Sequence, residues 1–119
     1  MVIGIVGSRR RDSEDDFKKV EEEFLRHHIP GITTICSGLC PKGADRFAVT
    51  LARKYETLTL WFPADWARYG RGAGPIRNTE IAEHSHILIA CVAPDRTGGT
   101  EDTIRKFLKK STPDRLCLV

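Results

Sequence analysis

Three glycine-containing loops carry most of the residues in this chain that could do chemistry. They read Gly7-Ser8-Arg9, Ser37-Gly38-Leu39-Cys40-Pro41-Lys42-Gly43-Ala44-Asp45, and Arg96-Thr97-Gly98-Gly99-Thr100-Glu101. Each follows a short apolar run and precedes a helical pattern. Glycine allows a close approach of backbone to ligand, and the free N–H groups at a helix start attract anions, most often phosphate. Ser8 adds a hydroxyl and an N–H, Arg9 a planar fork of donors, and Thr100 a hydroxyl at a helix start. Gly7, Ser8, Arg9, Gly98, Gly99 and Thr100 are therefore candidate anion-binding residues, with Ser37, Gly38 and Gly43 as the contribution of the second loop.

A second group lies in Pro63-Ala64-Asp65-Trp66 and Gly74-Pro75-Ile76-Arg77-Asn78. Arg77 is expected in the first turn of a helix. The dipole does not favour a cation there, so a bound anion is a reason for its presence. Asn78 is its polar neighbour. Trp66 and Tyr69 either stack on a base or cap the core; Asp65 either accepts from a ribose hydroxyl or makes a turn. Asp45, just inside a helix, either meets the ligand or bonds that helix's first amides. Glu101 and Asp102 are the carboxylates available for catalysis with Arg77, although acids are expected in a first helical turn in any case.

Two phosphate motifs are excluded. Gly38 and Gly43 have Walker A spacing, but Ala44-Asp45 stands where Lys-Ser/Thr must follow, and Lys42 is out of register. No G-x-G-x-x-G follows the first apolar run, so a standard dinucleotide dehydrogenase does not fit.

These loops need a scaffold, and the apolar pattern supplies one. Strands are expected at Val2–Val6, Thr33–Cys36, Leu58–Phe62, His86–Val92 and Leu116–Val119. The first helix follows the acidic run Asp12–Asp16, turns Phe17, Val20, Phe24 and Leu25 inward, and stops at Pro30-Gly31. The second carries Ala44, Phe47, Ala48, Leu51, Ala52 and Tyr55 on its apolar face. A third has Pro75 in its first turn and runs to about Glu83, and the last starts at Gly99 or Thr100 and buries Ile104, Phe107 and Leu108. Residues 63–74 read as a long irregular loop, a candidate ligand wall. Wholly apolar strands alternating with helices predict an α/β fold, a three-layer α/β/α sandwich with a mainly parallel sheet of about five strands. If the first and fourth strands are neighbours, the first and third loops flank the switch point where such sheets bind ligands.

The chain of 119 residues is long enough for one core, and 1–119 reads as a single domain. A formal charge of +3 suits a phosphorylated ligand and does not by itself argue for nucleic acid. No apolar stretch approaches the roughly 18 residues that span a bilayer, and no basic segment precedes the first strand, so a cytoplasmic location without membrane attachment is expected. Cys36, Cys40, Cys91 and Cys117 read as reduced thiols rather than metal ligands. A metal site from His84, His86 and a cysteine is the weaker alternative, and no metal or other cofactor is required. His27 and His28 are expected on the polar face of the first helix.

Taken in order, Gly7-Ser8-Arg9, Ser37-Gly38, Gly43-Ala44-Asp45, Pro63-Ala64-Asp65-Trp66, Tyr69-Gly70, Ala73-Gly74-Pro75-Ile76-Arg77-Asn78 and Gly98-Gly99-Thr100 resemble the SLOG superfamily of Rossmann-like domains, most closely its small YspA-type branch, the DUF2493 family. The likeness covers nearly the whole chain. It implies a nucleotide or nucleotide-derivative binding domain, a sensor or effector-associated module, with a bound nucleotide-type ligand and a homodimeric assembly. Two other functions occur in the superfamily. One is the LOG-like phosphoribohydrolase, which cleaves the N-glycosidic bond of a nucleoside monophosphate. The other is DprA-like binding of single-stranded DNA, which the charge does not favour. Three departures stand out. Leu39-Cys40-Pro41 replaces part of a Ser-Gly-Gly-Ala-like loop, Ile81 stands where methionine is common, and Thr103 occupies the position of the hydrolase glutamate. The last departure moves the expectation from turnover towards binding.

Overall fold

The computed structural model describes residues 1–119. Five strands, β1 (Val2–Gly7), β2 (Thr34–Ser37), β3 (Leu58–Trp61), β4 (Ile87–Cys91) and β5 (Leu116–Leu118), form one sheet in the order β3-β2-β1-β4-β5, every pair parallel. Helices α1 (Glu14–His27) and α2 (Ala44–Lys54) cover one face; α4 (Ala73–His84) and α5 (Gly99–Lys110) cover the other. A one-turn helix, α3 (Trp66–Tyr69), precedes α4. The sheet is parallel throughout, and the architecture is the Rossmann-like three-layer sandwich the alternation predicts. No helix is long and apolar enough to cross a membrane.

Side-chain alternation along the strands explains the two cores. Ile3, Ile5, Ile35, Ile89 and Cys91 face α1 and α2, meeting Val20, Phe24, Phe47 and Leu51. Val6, Cys36, Leu88 and Ala90 face α4 and α5, meeting Ile81, Ile104 and Phe107. With both faces covered, β1 and β4 carry no polar side chain, hence their unbroken apolar runs. Helix α1 begins where its sequence dictates: Ser13 Oγ accepts from the Asp16 amide at 3.1 Å, and the Asp16 carboxylate accepts from the Ser13 amide.

The structure corrects several expectations. Residues 63–74 are irregular only as far as Asp65: from there α3 and a 3₁₀ turn at Gly70–Gly72 lead directly into α4. Since α4 begins at Ala73, Arg77 lies in its second turn, beyond the strongest field of the helix dipole. Leu25 and Leu108 are exposed, because each sits at the edge of its helix's apolar stripe. Trp66 and Tyr69 are also exposed and do not cap the core. His27 and His28 are half-buried rather than on a polar face. The His28 ring, one turn after Phe24, stacks on it at 4.8 Å, and His27 Nε2 lies 3.4 Å from Cys117 Sγ. All four cysteines are free, and burial pushes the Cys36 thiol up to about 12.

Gly4, in the middle of β1, lies close against the end of α4. A Cβ there would stand 2.1 Å from Ser85 Oγ and 3.0 Å from Leu88 Cδ1, and Ser85 is itself tied to the Ile81 carbonyl at 2.7 Å. Gly4→Ala is expected to cost about 1–3 kcal/mol of unfolding free energy, measured by urea denaturation with an unchanged slope.

Candidate functional site

The pairing of β1 with β4 sets the site. From β1 the chain turns over one face into α1, and from β4 it turns over the other into α5, so the carboxyl ends of the two strands open between diverging loops. A cavity of about 350 Å³ lies there. It is lined by Gly7, Ser8 and Arg9 of the first loop and by Gly98, Gly99 and Thr100 of the third, with Asp45 from α2 and Arg77 and Asn78 from α4. These candidates, scattered over the sequence, thus meet in one place. A smaller hollow of about 140 Å³ adjoins it, sharing Arg9, Cys40 and Arg77 and adding Gly38, Leu39 and Trp66.

The first loop is held by close packing. A Cβ on Gly7 would meet Ala44 Cβ at 2.7 Å and Cys91 Cβ at 2.9 Å. The Ser8 amide is spent on the Cys91 carbonyl at 2.9 Å, so it is not available to a ligand as expected. Ser8 Oγ accepts from the Arg10 amide and keeps its own proton to donate. Arg10 reaches the third loop, where its two terminal nitrogens grip Asp95 at 3.0 and 2.6 Å and one also bonds Thr97. This clamp joins the two loops that flank the cavity, and it holds the Asp95 carboxyl well below the usual carboxylate range. Arg9, exposed at the rim, has no hydrogen-bond or ion-pair partner. Gly98, at φ +104°, caps α5 without a side chain, and the Gly99 and Thr100 amides have no protein acceptor.

Arg77 also has no ion pair. Its Nε donates to Asn78 Oδ1 at 3.0 Å and its Nη1 to the Gly38 carbonyl at 3.4 Å. A Cβ on Gly38 would fall 2.6 Å from Nη1, so the second loop needs glycine there for the guanidinium to lie across it. Asn78, buried, donates to the Gly99 carbonyl at 3.3 Å and to Asp102 Oδ2 at 3.2 Å. Asp102 therefore positions Asn78, and Asn78 positions Arg77.

The second loop works indirectly. Leu39 takes a left-handed φ of 58°, against its steric preference, and the Cys40 amide donates to Asp45 Oδ2 at 3.0 Å. Asp45 thus bonds this loop and not the amides of its own helix. Gly43 lines neither space. Its φ is 78°, and a Cβ added to it would stand 2.6 Å from the Ser8 carbonyl oxygen, so its role is to seat the second loop on the first. Ser37 is buried beneath Asp45 and does not reach the cavity. Asp65 accepts from the Arg68 amide at 3.1 Å and makes a turn.

Neither catalytic carboxylate candidate lines the cavity. Glu101 is taken by a two-pronged pair with Arg96, each bond 2.9 Å. Asp102 is bound by Asn78, Arg105 and Lys106. Burial pushes its carboxyl up, but the bonds from Lys106 and Asn78 outweigh that and leave it lowered. The phase of α5 turns Thr103 to the cavity instead. Arg10, Cys40, Thr97 and Thr103 also belong to the site, and sequence spacing does not mark them as ligand contacts. For Arg10 the one available signal is the run of three arginines at 9–11.

Asp45 is the only carboxylate lining the cavity. Burial pushes its carboxyl up, against the Cys40 amide and the positive charge of Arg77. Ser37 Oγ stands 2.6 Å from the Ile5 carbonyl and 3.1 Å from Asp45 Oδ1, and its single proton can serve only one of them. Burial outweighs these contacts and leaves the carboxyl raised. Comparison with family models, curated proteins and solved structures finds no match to the chain.

A carboxyl raised on folding stabilises below its ordinary value of 3.8 and loses that contribution as pH rises through its folded value. Asp45→Asn keeps the acceptor for Cys40 and removes the buried charge. Its stability relative to wild type is expected to increase as pH rises from 3.8 to neutrality, read from urea midpoints across that range.

Proposed function

We propose that the chain is a binding domain for a phosphorylated, nucleotide-derived ligand, of the SLOG type its ordered motifs resemble. One observation carries this reading: Arg9 and Arg77 border the cavity with no carboxylate paired to either, while the neighbouring cations Arg10 and Arg96 are neutralised by Asp95 and Glu101. Two free guanidinium groups face the single buried carboxylate of Asp45. The surplus positive charge, the unbonded Gly99 and Thr100 amides and the Ser8 hydroxyl together suit a phosphate between the first and third loops. The adjoining hollow, with exposed Trp66 on its wall, suits the base.

Cleavage of an N-glycosidic bond has less support, since Glu101 and Asp102 are bound elsewhere and Thr103 takes the place facing the cavity. Binding without turnover agrees with a sensor or effector-associated role. A cytoplasmic homodimer belongs to the same proposal by analogy with small domains of this type.

Calorimetry against AMP, ADP-ribose, NAD and cyclic nucleotides is expected to show saturable binding of at least one. Arg9→Ala and Arg77→Ala should each weaken it about 10- to 100-fold, the loss of one charge-assisted contact of about 1.5–3 kcal/mol. Trp66 emission should change with the nucleotide and not with ribose 5-phosphate, Trp66→Phe serving to separate it from Trp61. Absence of saturable binding to the whole panel would refute the proposal.

A further inference from the structure

A second cluster of coordinating side chains lies far from this cavity. Because α1 starts at the carboxyl edge of the sheet and runs back along it, its last turn reaches the amino edge. Glu23 and His27 are four residues apart on that turn and so share one face. That face lies over β5, whose middle residue is Cys117. One ligand atom from each of Glu23, His27 and Cys117 lies within 4.8 Å of the other two, and all three residues are half-buried.

We propose that Glu23, His27 and Cys117 form a binding site for a borderline-soft divalent cation, Zn²⁺ being the ion their donors fit best. Thiolate, imidazole and carboxylate are each Zn²⁺ ligands, and the presence of sulfur disfavours Mg²⁺ and Ca²⁺. Tetrahedral Zn²⁺ with bonds of about 2.0 Å to nitrogen and 2.3 Å to sulfur separates these two atoms by about 3.5 Å. His27 Nε2 and Cys117 Sγ stand 3.4 Å apart already. The carboxylate closes the remaining gap by side-chain rotation. Arg26 Nη1, 3.6 Å from Glu23 Oε1, is a mostly exposed partner that can swing into solvent. On binding, the Cys117 S–H bond breaks, its proton goes to solvent and a sulfur–metal bond forms. Three protein ligands leave a fourth position for water.

The ion would clip α1 to the edge strand β5 across 90 residues of sequence. β5 is the shortest strand of the sheet, three residues long, and has a neighbour on one side only. A cross-link there holds the element with the fewest ladder bonds. The inference is independent of the nucleotide reading, because none of the three residues borders the cavity or the hollow beside it.

The test uses the full chain, reduced and freed of metal by chelation. Zn²⁺ titration by calorimetry is expected to give one equivalent, with an upward shift in melting temperature that Mg²⁺ does not reproduce. Co²⁺ should give a thiolate-to-metal charge-transfer band and intense visible bands of a tetrahedral ion. His27→Gln and Cys117→Ser should each lower affinity by more than the roughly 10- to 100-fold that loss of an outer-shell partner costs, and Cys117→Ser should abolish the charge-transfer band. Because His27→Gln changes a half-buried residue at a helix end, it keeps the test valid if Cys117→Ser fails to fold. No saturable Zn²⁺ binding, or Zn²⁺ binding and a charge-transfer band unchanged in His27→Gln, overturns the proposal.

Discussion

The parallel pairing of β1 with β4 is the constraint on which the rest of the molecule depends. Five residue pairs run in register from Ile3↔Ile87 to Gly7↔Cys91, and the Ser8 amide extends the ladder one bond further onto the Cys91 carbonyl. With β2 and β3 on one side and β5 on the other, this pair is central and buried on both faces. The chain leaves β1 and β4 in opposite directions, so their carboxyl ends cannot be covered by the same connection. The opening that results is a consequence of topology, present before any ligand chemistry is considered.

Around that opening the fold accepts local cost. Asp45 is a carboxyl whose burial pushes it up, and Leu39 is held in a left-handed backbone conformation. Both concern the same few residues, and the Cys40 amide bond to Asp45 links them. Such features persist only where surrounding structure over-determines them. Here the surroundings are the Arg77–Asn78–Asp102 chain of hydrogen bonds on one side and the docking of Gly43 against the Ser8 carbonyl on the other. The same arrangement fixes the direction of Arg77, which is why Asp102, outside the cavity, still matters to it.

The parts legible in the sequence follow from short-range physics. The five apolar runs, the capping signal at Ser13 and the amphipathic patterns specify the element order and the parallel class, because periodicity and burial are local properties. Expectation and structure part where tertiary contacts override local preference. Residues 63–74 lack an apolar stripe, yet Asp65 nucleates one turn and Gly70–Gly72 carries it into α4. Leu108 has the spacing of a core residue but lies past the edge of the buried stripe. His28 follows a charged helix, yet its ring is half-buried because Tyr55, just past α2, packs 5.6 Å from it.

Residue order alone establishes that glycine loops, hydroxyls and arginines follow apolar strands, and hence that an anion site at the carboxyl edge is to be expected. Which of these residues face the cavity is settled in three dimensions. Helix phase puts Thr103 inside and Glu101 and Asp102 outside, and strand order brings the first and third loops together. The partners that free or occupy each charge are 85 residues apart for Arg10 and Asp95, and 39 for Arg77 and Gly38. Spacing along a chain encodes the period of a helix or strand. It does not encode which distant carboxylate will neutralise which arginine, and that pairing leaves Arg9 and Arg77 free.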